Sequence, residues 1–125
     1  MALHTDGTPL RLESPLEIYF KNLNLALGTL GCPDRVHELE ELLHTAGFVD
    51  IAVTSVKAPW GEWGQTKQEQ ELGKWGMAIL ATGLSAYAMA LFTRVLEMSS
   101  EENEELINAA YRQLTEPGVE MYENV

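Results

Sequence analysis

The run GLSAYAMALFTRVLEMSSEENEELINAAYRQL, Gly83 to Leu114, reads as two helices meeting at a boundary. Ser99 marks that boundary, with Glu102 three positions on. A serine there can accept from the first-turn amides, and the glutamate can reach back to the serine amide, forming a capping box. Glu101, Glu102, Glu104 and Glu105 then suit the positive end of the helix dipole. Four glutamates also have the composition of a metal cluster, but capping explains their placement at no further assumption. Ile107, Ala110, Tyr111 and Leu114 share one face of this second helix and form its buried stripe, and Pro117-Gly118 ends it.

Upstream of the boundary, Trp75 to Thr93 carries no charge. A run of about 19 residues could just span a bilayer. Gly76, Gly83, Thr82, Ser85 and several alanines dilute its hydrophobicity, so the reading is a buried helix packed through small residues, with no membrane role. The predicted helix covers roughly Lys74 to Glu97, bent at Gly83. Before it lies APWGEWGQTKQEQELGKWG, a polar, glycine-punctuated connection carrying all three tryptophans, with a short helix predicted over about Gln65 to Leu72.

Further back, FVDIAVTSVKAP alternates Val49, Ile51 and Val53 with Asp50, Ala52 and Thr54, which predicts a strand over Val49–Val56 ended by Pro59. It is the one convincing strand in the sequence. A helix opened by Pro33 precedes it, with Val36, Leu39, Leu42, Leu43 and Ala46 inward and Gly47 as its cap. His37 with Glu41 and Glu40 with His44 have the spacing of catalytic dyads and equally of ordinary i,i+4 surface pairs. The first helix starts at Ser14-Pro15-Leu16-Glu17, another capping signature. It aligns Leu16, Tyr19, Phe20, Leu23, Leu27 and Leu30 on one face, and Gly31 stops it.

With 125 residues the sequence fits one domain, residues 1–125, with a loose arm at 1–13 and a loose tail at 118–125. The fold class is α+β, mainly α with one or two strands. A formal charge of −11, from 19 acidic against 8 basic residues, repels phosphate backbones and anionic bilayers, which argues against nucleic-acid and membrane-surface roles. It suits a basic protein partner. Cys32 is alone, so neither an intrachain disulfide nor a thiolate zinc cluster is expected. The N-terminus lacks a basic start followed by an apolar run, and the expected location is cytoplasmic. No GxGxxG loop after a strand, Walker loop, HExxH or GxSxG occurs.

The Gly83–Leu114 block, with LEELLHTAGFVDI, APWGEW, ELGKWG and TDGTPL near the start, resembles the C-terminal half of fungal class I S-adenosylmethionine-dependent methyltransferases of the LaeA-like, secondary-metabolite group. Glu97 stands where that family tends to have glycine, and Asn103 where it tends to be apolar. The resemblance implies a truncated Rossmann-like fold that has lost the cofactor-binding half, so no cofactor is expected. It also implies an orphaned strand and apolar helix faces, hence completion by dimerisation or by a hetero-partner methyltransferase. In the family these elements face the acceptor. By that analogy Tyr19, Phe20, Trp60, Trp63, Trp75, Tyr87 and Met89 become candidate contacts for an apolar small molecule, although aromatic residues at helical spacing also make ordinary core. Glu62, His4 and Asp6 are the candidate acid/base groups. Two functions follow: a repurposed enzyme guiding a cofactor-independent cyclisation, rearrangement or isomerisation, or a non-catalytic subunit of a split methyltransferase or regulatory complex.

Overall fold

A computed structural model describes residues 2–4, as backbone, and residues 9–125. In chain order the elements are β1 (Ala2–His4), α1 (Pro15–Thr29), a 3-10 turn (Val36–Glu38), α2 (Leu39–Thr45), β2 (Lys57–Trp60), α3 (Lys67–Arg94), α4 (Ser100–Leu114) and β3 (Met121–Asn124). The architecture is mainly α with a small sheet, an α+β arrangement.

Helix α1 begins where the sequence places it. Pro15 occupies the first turn and the Ser14 side chain accepts from the Glu17 amide at 3.4 Å. The Glu17 carboxylate reaches the Glu13 amide at 3.3 Å rather than the Ser14 amide. Complete capping boxes form at Thr66/Glu69 and at Ser99/Glu102. The hydrogen bonds that close these boxes hold the carboxyls of Glu69 and Glu102 below the usual carboxylate range.

Two of the helix ends follow one rule. In the Schellman motif, a left-handed residue lets the next amide turn back to a carbonyl five residues before it. Gly31 and Gly47 are that residue after α1 and α2, and the Cys32 and Phe48 amides bond back to Leu27 and Leu43 at 2.9 and 3.1 Å. After α3 the chain turns more loosely: the Met98 amide bonds the Phe92 carbonyl, six residues back, at 3.0 Å, and the left-handed residue is Glu97, at φ 56°. A side chain in that conformation is strained where glycine is not.

Four expectations are corrected. The strand predicted over Val49–Val56 is not formed: Asp50 sits at φ 55°, which interrupts the extended run, and the strand starts at Lys57 instead. Its partner supplies pairing only from Val56 onward, where Val56 and Val125 exchange backbone bonds of 2.8 and 2.9 Å. The tail expected to be loose is that partner, β3, which adds a strand to the predicted count. β3 lies between β1 and β2 in the order β1-β3-β2, pairing Lys57 with Asn124, Trp60 with Met121 and Ala2 with Glu123. All these pairs are antiparallel. The helices expected at 65–72 and 74–97 are one continuous helix, because the Thr66 box nucleates it and Gly73 passes through in helical geometry. Finally, the helix opened by Pro33 contracts to a 3-10 turn and α2, and its inward face is not buried: Val36 is 77% exposed and Leu39 53%.

The core lies where α1, α3 and α4 meet and the sheet closes one side. Leu16, Tyr19, Leu84, Ala88, Phe92, Ala110 and Leu114 interlock with Trp60 and Met121 of the sheet. Aromatic rings fill its centre. Tyr19 meets Phe20 edge-on at 5.4 Å and Phe92 at 5.3 Å, and Phe20 stacks on Trp60 at 5.9 Å. Each such pair contributes about 0.5–1.5 kcal/mol beyond its buried area. The sheet is held to α3 by a backbone approach: the Gly61 amide donates to the Gly73 carbonyl at 3.1 Å. A β-carbon at Gly73 would overlap the Gly61 carbonyl oxygen.

Two substitutions test these constraints by denaturant unfolding. Gly73→Ala is expected to lower stability by about 1–3 kcal/mol, the usual cost of overpacking. Glu97→Gly is expected to raise it by a few tenths to about 1 kcal/mol by relieving left-handed strain, despite the greater freedom of the unfolded chain.

Candidate functional site

Chemistry requires polar groups that converge in a sheltered place, so the positions of the candidate residues decide what the molecule can do. The aromatic candidates separate into three environments. Tyr19 and Trp60 are buried, with Phe20 half-buried between them, and all three belong to the core cluster. Tyr19 donates its hydroxyl to the Leu84 carbonyl at 2.9 Å, which satisfies the one polar atom it carries inward. Burial, with the Tyr87 phenol nearby, pushes its pKa up to about 12.

Trp63 staples the loop that follows β2. Its indole N–H is shared between the Trp60 carbonyl at 3.3 Å and the Met121 carbonyl at 3.2 Å, tying the turn to both strands. It also borders a surface recess of about 330 Å³ with Lys57 and Tyr122, where the Lys57 ammonium stands 4.5 Å from the Tyr122 ring centroid. Trp75, Tyr87 and Met89 are exposed on α3, at 63%, 61% and 39%.

Of the acid/base candidates, Glu62 shares a recess of about 390 Å³ with Trp75, flanked by Lys67, Glu71 and Lys74. Glu62 is exposed and makes no hydrogen bond among the described residues that would orient it toward a substrate. His4 is described only as backbone, paired with Met121 in the sheet. Asp6 lies outside the described residues. Among the described residues the structure thus brings Glu62 and Trp75 to one recess and gathers Tyr19, Phe20 and Trp60 in the core. His37 lies 3.4 Å from Glu38 rather than engaging Glu41, so neither helical dyad is assembled. Among the described residues no group of three or more His, Cys, Asp or Glu side chains could hold a metal ion.

The strand–turn–helix from β2 through Gly61 and Gly64 into α3 has the outline of a nucleotide-binding loop, but its donors are taken. The amides of Gln65 and Thr66 bond the Glu69 carboxylate at 3.0 and 2.9 Å, and the Glu69 amide bonds the Thr66 hydroxyl. An anionic or carboxylate group would have to displace an internal carboxylate with Glu62 nearby. These residues do not fit S-adenosylmethionine.

What the molecule does present is apolar surface. No residue between 27 and 58 is buried, although that span contains Val36, Leu39, Leu42, Phe48, Val49, Val53 and Val56. Phe48 is 60% exposed and Val49 81%. Helix α3 is apolar on both sides. Its most hydrophobic 18-residue window has a mean hydropathy of 1.5, enough in length and composition to cross a membrane, yet only 17% of that window is buried. The expectation of a helix enclosed through its small residues is thus met on one face only. Sequence periodicity missed these surfaces because it marks a face as apolar without saying what covers it.

The chain is similar to a regulator of secondary metabolism. Over 90 residues, 71% of its length, it is 28% identical to the secondary metabolism regulator LAE1 of Cochliobolus heterostrophus. Those residues span 29% of that protein, so the match covers well under a third of the relative. No family model matches the sequence, and no solved structure matches it.

The buried phenol gives a pH test with a definite sign. A tyrosine whose folded pKa lies above its unfolded value of 10 contributes stability that is intact below pH 10 and is lost as pH rises through about 12. Tyr19→Phe is expected to cost about 1 kcal/mol near neutrality and to flatten the alkaline slope between those values in urea titrations.

Proposed function

We propose that this chain is a non-catalytic docking subunit of a methyltransferase-like assembly in secondary metabolism. The observation that carries the proposal is the span 27–58, in which an amphipathic helix and a valine-rich run turn their apolar side chains to solvent. A concentration of exposed apolar side chains of this kind fits a surface that another molecule covers, and a protein partner is the reading we favour. The resemblance to methyltransferases and the similarity to a secondary metabolism regulator support the choice of partner: a sheet-bearing methyltransferase core that α2 and the run up to Val56 would cover. The −11 charge favours a partner with a basic rim around an apolar centre.

A second reading, the cofactor-independent cyclase, has one observation in its favour, the recess shared by Glu62 and Trp75. It would place an apolar substrate against the indole with the carboxylate as base. Its weakness is physical: a solvated carboxylate gains nothing from desolvation, and the recess excludes no water.

Metabolite profiling separates the two. In the producing organism, a chain carrying Leu39→Asp and Phe48→Asp is expected to reproduce the deletion phenotype, an unmethylated product, while Glu62→Gln leaves the profile unchanged. Both altered side chains are exposed, so circular dichroism of the purified variant should match the parent. Full complementation by the double variant would overturn the docking proposal. Accumulation of a cyclisation precursor on Glu62→Gln substitution would install the second reading in its place.

A further inference from the structure

The outer face of α3 carries a pattern that neither the core nor the docking span uses. Leu72, Trp75, Ile79, Thr82, Ala86, Met89 and Thr93 recur at alternating spacings of three and four, the a/d repeat of a coiled-coil seam. Leu72, Trp75, Ile79 and Met89 are 54%, 63%, 68% and 39% exposed, and Thr82 and Ala86 are exposed as well. The inward face is made by Gly73, Leu84, Ala88 and Phe92, and Met89 borders it, its Sδ 3.8 Å from the amide nitrogen of the buried Asn103. One helix therefore has a core side and a seam that stays largely exposed.

The order of sizes along the seam is the informative feature. Bulky side chains occupy its first half and smaller or flexible ones its second, with Thr82 at the midpoint. Laid antiparallel against a copy of itself about a two-fold axis at Thr82, the seam becomes self-complementary. Trp75 meets Met89, Ile79 meets Ala86, Leu72 meets Thr93, and Thr82 meets its own copy. Thr82 needs no new partner there, because its hydroxyl already donates to the Ala78 carbonyl at 3.0 Å. The flanking positions Ala78, Gly83, Ser85 and Ala90 are small and uncharged, so the two backbones can approach closely.

Electrostatics and area agree with this arrangement. Two chains of charge −11 repel, yet Trp75 to Thr93 contributes nothing to that repulsion, and antiparallel docking sets the Arg94 end of one helix beside the Glu71 end of the other. The larger seam side chains, Leu72, Trp75, Ile79 and Met89, keep between 39% and 68% of their surface accessible, apolar area of the kind from which a standard interface of roughly 800 Å² per partner is built. We infer that the chain forms a two-fold dimer through the outer face of α3, with the axis at Thr82. This surface is distinct from the span 27–58, so the inference stands or falls independently of the docking function.

Analytical ultracentrifugation of the full chain tests it at micromolar concentrations. A dimer is expected, strengthening as salt screens the net charge. Ile79→Glu should weaken it at least tenfold with unchanged helicity, whereas Leu39→Asp should leave it intact. In a Cys32→Ser background, Thr82→Cys should form an intermolecular disulfide under mild oxidation, and Glu101→Cys on α4 should not. A monomer throughout the range would overturn the inference, as would a dimer indifferent to Ile79→Glu. A chain that stays monomeric but partitions onto neutral phosphatidylcholine vesicles through α3 would also overturn it, and would assign this face to lipid.

Discussion

The contact on which the rest of the molecule depends is between two backbones: the Gly61 amide and the Gly73 carbonyl, 3.1 Å apart. It sets the sheet against α3 with no side chain between them, and that closeness lets Trp60 reach the core and stack on Phe20 of α1. Trp63 can then bridge to the Met121 carbonyl and hold β3 in register. Loosening this approach would separate sheet from helices, and each alone is too small to persist: a few short strands without a helix face are marginal in water. The aromatic cluster supplies much of the cohesive energy, but the glycine contact places its members.

Helices were legible in the sequence because their signals are local. Ser14, Ser99, Gly31 and Gly47 act on amides and carbonyls within a few residues, and each is found in the role its chemistry predicts. Strands were less so, because a strand is defined by its partner. The alternation at Val49–Val53 is genuine as a pattern, but nothing among the described residues pairs with it, and ladder formation waits for Val56, where Val125 stands opposite. The tail was read as loose because MYEN alone has no reason to be extended. It is ordered by β1 and β2 on its two sides. The start of α3 was legible to within two residues, since a helix was expected from about Gln65; what was missed is that it runs on through Gly73 into the longer helix, where the glycine was read as a break.

The candidate site was less legible, for a related reason. Residue type indicates what a side chain can do, not whether its neighbours shield it. Tyr19, Phe20 and Trp60 have the chemistry of a ligand pocket and form the core instead, while Trp75 and Tyr87 have the chemistry of a core and face solvent. Among the described residues Glu62 and Trp75 share a recess, and it is open. What the described residues offer most plainly is contact surface. The two surfaces differ in character: the span 27–58 is irregular and valine-rich, whereas the outer face of α3 is periodic and charge-free. Such different textures suit different occupants.

A carboxamide is buried between α3 and α4. Asn103 of α4 is fully buried, its amide nitrogen donating to the Ala88 carbonyl at 3.0 Å, while its Oδ1 has no hydrogen-bond partner. An apolar residue of equal volume would remove that debt, so cohesion does not explain an asparagine here. Alignment does. Sliding α4 along α3 would break the bond to Ala88 while the Oδ1 stays unsatisfied, a cost that aliphatic neighbours do not impose, so the carboxamide disfavours other registers. The side chain thus works as an indexing pin, giving up a little strength so that two smooth helices have a single way to mesh.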